Sequence, residues 1–167
     1  MDLSTTLIGL SLLLFCVIIF VILGRNNQKK EKHLLQTLKA LAEKNNGQVT
    51  LFDIWNNSAI GIDEKTNIVF AIKSVNNAPI SYQVQLAEIR NCRAINTRST
   101  QSPEDGNFRP IEKLQLAFTP LDKNKPDVVF DFYNATNDYS LLNGELQLME
   151  KWQKITNDKL TSLSSNR

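Results

Sequence analysis

The chain has 167 residues, 42% of them hydrophobic, and a formal net charge of +2. Apart from one apolar run near its start, about 140 residues remain, the usual size of one domain with one core, and no internal repeat or long low-complexity tract appears. Two cysteines, one of them inside an apolar run, exclude a disulfide-stapled scaffold, and a single histidine leaves little for imidazole-based catalysis.

The first predicted element is Leu7 to Leu23, seventeen residues without a charged side chain. At about 1.5 Å of rise per residue it covers roughly 26 Å, and Thr5, Thr6 and Gly24 extend it towards the ~30 Å of a bilayer core. It reads as a transmembrane anchor over residues 1–24, with Leu7, Leu10, Leu14, Phe15, Ile18, Phe20 and Leu23 as its apolar body. Met1 to Ser4 contains no basic residue and the run ends without a small-x-small pattern, which argues against a cleaved signal peptide. Arg25, Lys29, Lys30 and Lys32 follow within one short segment, whereas only Asp2 precedes it. The positive-inside tendency therefore predicts a single-pass membrane protein with its N-terminus outside and its C-terminal domain in the cytoplasm.

Residues 25–47 form a basic juxtamembrane segment. Arg25 to Asn45 carries +4, while everything after Asn45 carries −1, which disfavours nucleic acid as a partner of the domain. Between residues 28 and 44, Leu34, Leu35, Leu38, Leu41 and Ala42 fall on one face at helical spacing, and Asn45-Asn46-Gly47 is a helix stop. The stripe either packs on its own domain or continues the spanning helix as a stalk. Alternatively it pairs with a second copy in a homo-oligomer, or the lysines lie on anionic lipid headgroups.

From residue 48 the period changes to two. Strands are predicted at Gln48 to Trp55, Ser58 to Asp63, Asn67 to Lys73, Ile80 to Leu86, Ile89 to Asn96, Ile111 to Thr119 and Asp127 to Tyr133. Alternation is clearest in Leu114, Leu116, Phe118 and in Val128, Phe130, Phe132. Val49, Leu51 and Trp55 are expected to share a core face. Thr97 to Pro110, rich in Ser, Gln, Pro, Asp and Gly, reads as a long loop. From about Ser140 to Leu163 the residues Leu142, Leu146, Met149, Trp152, Ile155, Leu160 and Leu163 mark a long amphipathic helix.

Seven short strands closed by one helix with a buried tryptophan resemble the bacterial pleckstrin-homology-like domains. The local matches are Ala59 to Asp63, Asn67 to Ile72, Leu86-Ala87-Glu88-Ile89 and Trp152, over roughly Val49 to Asp158. The resemblance implies an α+β chain: one N-terminal transmembrane helix, then a bent antiparallel β-sheet or barrel of about seven strands over residues 48–167, closed by a C-terminal helix. A simpler β-sandwich with a C-terminal helix is the alternative.

The chemistry is sparse. His33 falls on the juxtamembrane helix, Cys92 occupies a core slot of a strand, and Asp63-Glu64 and Glu104-Asp105 read as turn residues. No Cys or His spacing suits zinc and no glycine-rich phosphate loop is present, so no catalytic residues, no metal and no cofactor are assigned. The turn Asn56-Asn57 lacks the basic motif that lipid-binding members of the superfold carry there. Arg90, Arg93, Arg98 and Arg109 form a candidate binding rim, because arginine forks suit phosphates and carboxylates. The expected function is a membrane-anchored, non-enzymatic interaction module that positions or senses a protein partner, with an extended peptide adding to a sheet edge. The alternative is binding of an anionic lipid or small ligand by the arginine rim and the juxtamembrane lysines.

Overall fold

The computed structural model describes residues 28–75, 78–99, 110–138 and 142–165. Helix α1 spans residues 28–44. The strands that follow are β1 (Leu51–Trp55), β2 (Ser58–Asp63), β3 (Ile68–Val75), β4 (Ala78–Gln85), β5 (Ile89–Arg98), β6 (Ile111–Pro120) and β7 (Val128–Asn134). Helix α2 (Glu145–Ser165) closes the chain.

The strands form two antiparallel sheets, one in the order β1-β2-β3-β4 and one in the order β5-β6-β7. Local chemistry sets the corners. Asn56 and Asn67 take the left-handed backbone (φ 46° and 55°) that tight hairpins require. The buried carboxylate of Asp63 then gathers the backbone N–H groups of Gln48, Lys65 and Thr66 at 2.7, 2.8 and 3.2 Å. It joins the end of α1 to the β2–β3 turn.

Two apolar clusters lie on the two faces of the four-stranded sheet. The inner face presents Ile60, Ile62, Val69 and Ala71 to Leu116, Phe118, Phe130 and Phe132 of the other sheet, with Met149 and Trp152 of α2 sealing the end. The outer face presents Ala59, Ile68, Phe70 and Ile72 to Leu34, Leu38 and Ala42 of α1. The leucine stripe of α1 is thus spent on its own domain. The close approach needs Gly61, where a Cβ would stand 2.7 Å from Val49 and 3.1 Å from Leu38. Val49 therefore packs with α1, while Trp55 turns to the inner core, where its ring stacks on Phe132 at 4.6 Å. The three residues expected on one face do not share one, because β1 begins only at Leu51.

The expected architecture is corrected in two respects. The strands do not close into a barrel or a continuous bent sheet. The chain leaves β4 through a short 3-10 turn, Leu86–Glu88, which carries β5 into the second layer. Where a barrel would need a backbone ladder between β1 and β7, a side chain bridges instead: the Trp55 indole N–H donates to the Phe132 carbonyl at 3.0 Å. Second, among the described residues no helix is long and apolar enough to cross a membrane. Helix α1 carries Lys29, Lys30, Glu31, Lys32, Lys39, Glu43 and Lys44, and α2 is charged throughout its exposed side. The expected span, Leu7 to Leu23, and Arg25 lie outside the described residues. The single-pass anchor, and the membrane placement and orientation drawn from it, are therefore not supported.

Candidate functional site

Among the described residues, the candidate arginines Arg90, Arg93 and Arg98 are spread along β5. Arg90 and Arg98 stand at opposite ends of β5, roughly 26 Å apart at ~3.3 Å per residue. Arg90 donates to the Leu121 carbonyl at 3.0 Å, and Arg93 is paired with Asp127 at 2.6 Å. Arg98 is exposed opposite Ile111, and Arg109 lies outside the described residues. Lys29, Lys30 and Lys32 are exposed on the first turns of α1.

The groups with reactive chemistry are dispersed as well. Cys92 is buried, and burial pushes its thiol up to about 12. His33 is exposed on α1. Burial pushes the Asp63 carboxyl up, but the N–H donors of Gln48, Thr66 and Lys65 outweigh it and hold the group below its ordinary value. Lys73, itself buried, pairs with Asp138 at 2.9 Å and pins the segment after β7 to the inner layer. Burial and the nearby Asp131 carboxylate raise the Tyr82 phenol. Among the described residues no group of His, Cys, Asp and Glu side chains is placed to hold a metal ion.

The sheet edges differ sharply from one another. At β5, the Asn157 side chain accepts from the Cys92 N–H at 3.0 Å and donates to the Cys92 carbonyl at 2.8 Å. At β7, the Phe132 carbonyl is taken by Trp55 and the Asn134 N–H by Asp138. At β1 the contact is with a side chain and not with the edge backbone: the Asp53 carboxylate accepts from Lys151 at 2.7 Å and from the Trp152 indole at 2.8 Å, while Leu51 and Phe52 are exposed.

The β4 edge has no such cover among the described residues. Ala78 to Ser81 and Gln83 are exposed, and Ile80 keeps 46% of its surface open. The direction of its backbone groups follows from the ladder. The Leu86 N–H reaches the Asn67 carbonyl, and the register pairs Val69 with Val84, Ala71 with Tyr82 and Lys73 with Ile80. In an antiparallel pair every second residue bonds inward, so Ser81 and Gln83 point their N–H and C=O groups away from β3. Pro79, on the same outward set, lacks a donor, as edge prolines do. No hydrogen bond from outside the sheet reaches the backbone of Ser81 or Gln83 among the described residues.

Two depressions flank this edge. On the outer face, a cavity of about 340 Å³ lies between α1 and the start of β4, lined by Leu34, Ile72 and Pro79 together with Lys30 and His33. On the inner face, a cavity of about 320 Å³ lies beside the end of β4, with Val84, Ile89, Pro120, Pro126 and Val128 in its wall. Sequence reasoning named sheet edges as recognition surfaces without choosing one. The signal that could have chosen was Pro79, which forbids an inner position for its strand.

Comparison with protein-family models, with curated proteins and with solved structures found no match for this chain.

Proposed function

We propose that this chain is a non-enzymatic interaction module of the pleckstrin-homology-like kind that holds a protein partner by strand addition at β4. The observation that carries this reading is the outward-facing backbone of Ser81 and Gln83 on a sheet edge that no other described element covers. Main-chain hydrogen bonds to an added strand supply affinity in such a mode, and pockets beside the edge supply selectivity. For its family likeness the reading draws on the seven strands and the C-terminal helix alone, since the two sheets form neither a barrel nor a continuous bent sheet. Strand addition is preferred to anion binding because Arg93 is already paired to Asp127 and Arg90 already donates to the Leu121 carbonyl.

The test is selection of binders from a displayed library of random peptides on the full chain, followed by binding to Gln83→Pro. Proline at this exposed position removes one outward donor while leaving the bonds to β3 intact. The selected peptides should lose binding to Gln83→Pro and keep it to Arg90→Gln/Arg93→Gln. Peptides that bind Gln83→Pro as well as the parent chain would overturn the reading.

A further inference from the structure

The two cavities and the alternation of β4 define what kind of strand fits. We infer that the β4 edge takes an antiparallel segment with apolar residues opposite Val84, Tyr82 and Ile80 and an acidic residue opposite Pro79. This inference rests on strand addition at β4 and specifies its partner.

Residues Ile80, Tyr82 and Val84 point to the inner layer, since Tyr82 and Val84 pack in the inner core and Ile80 shares their parity. A strand laid beside β4 continues the same pleat. Its residue opposite Val84 therefore points towards the inner cavity, which Val84, Ile89, Pro120, Pro126 and Val128 line beside Gln83 and Gln85, and whose two charges, Lys125 and Glu88, pair with each other at 3.3 Å. The residue opposite Ile80 covers the surface that Ile80 leaves exposed.

Positions of odd number point the other way. Pro79 lies on the outer face and lines the same cavity as Lys30 and His33. Neither Lys30 nor His33 has an ion-pair partner among the described residues, and Lys29 and Lys32 keep this end of α1 net positive with Glu31 between them. A carboxylate on the added strand opposite Pro79 faces this field. An acidic side chain is favoured there and a basic one repelled. Antiparallel addition is chosen because it is the more stable pairing per residue. The segment then reads apolar-x-apolar-x-apolar-acidic, from the end of β4 back to its start.

The probe is a pair of blocked, fluorescently labelled peptides containing Ile-Thr-Val-Thr-Ile-Glu or Ile-Thr-Val-Thr-Ile-Lys, titrated by anisotropy against the full chain, Gln83→Pro, and Lys30→Glu/His33→Glu. The Glu peptide should bind about fivefold to tenfold more tightly than the Lys peptide, an effect in the range of one or two exposed charge pairs. The preference should reverse on Lys30→Glu/His33→Glu and shrink with added salt. Equal binding of both peptides, abolished by Gln83→Pro, would overturn the acidic preference and leave strand addition standing. Failure of both peptides to bind, with library-selected peptides indifferent to Gln83→Pro, would overturn both. Sedimentation showing a dimer of the full chain that Gln83→Pro dissociates would assign the edge to a second copy instead.

Discussion

Asn157 on α2 grips the backbone of Cys92 with both ends of its amide, accepting the N–H at 3.0 Å and donating to the carbonyl at 2.8 Å. A single side chain here does for β5 what a neighbouring strand would do. Replacing it with alanine leaves a donor and an acceptor unsatisfied beneath the helix. Asn157→Ala should lower stability by about 2 kcal/mol, seen as a lower urea midpoint, and amide exchange at Cys92 should accelerate.

Gly61 is predicted to be intolerant for a different reason. Its Cβ would meet Val49, Leu38 and the Leu51 carbonyl at 2.7, 3.1 and 3.1 Å. The last contact is backbone and cannot rotate away. Gly61→Ala should cost about 1–3 kcal/mol through overpacking, and hydrogen exchange should show α1 losing protection before the strands do.

Asp63 makes stability depend on acid. Its folded carboxyl lies below the ordinary value of 3.8, so its contribution is full above that value and is lost as pH falls from there through the lower folded one. Asp63→Asn should therefore unfold at a lower temperature than the parent at pH 7. The gap should narrow as pH is taken towards 3, as thermal melts across that range will show.

The Cys92 thiol is buried and raised to about 12. The folded chain should therefore resist iodoacetamide at pH 8, where a free cysteine reacts through its thiolate. Mass spectrometry should find alkylation at Cys92 only when denaturant is added.

How far these features were legible in the sequence depends on whether the cause is local. β6 and β7 announce themselves through Leu114, Leu116, Phe118 and Val128, Phe130, Phe132, because one face of their sheet is wet. β2 and β3 do not alternate in the same way, because α1 buries their second face, and turn residues located them instead. The helical stripe Leu34, Leu38, Ala42 was visible, but its destination was a tertiary matter. Of the four arginines, Arg90 and Arg98 lie at the two ends of β5, Arg93 is met by Asp127 from the β6–β7 connection, and Arg109 lies outside the described residues, relations that no local pattern announces. The anchor expectation rested on residues 7–23 alone, and the described helices lend it nothing. Edge status is the least local property of all. Whether β4 ends a sheet is decided by where β5 goes, and only Pro79 hinted at it.

The burial of the four-stranded sheet on both faces bears on how the molecule can be trimmed. A fragment beginning at residue 48 would keep every strand and the C-terminal helix, yet it would lay bare Ala59, Ile68, Phe70 and Ile72, the whole seat of α1. Such a fragment would bring a sticky plane to its own neighbours and collect in inclusion bodies, whereas one that begins at or before residue 28 carries its own lid.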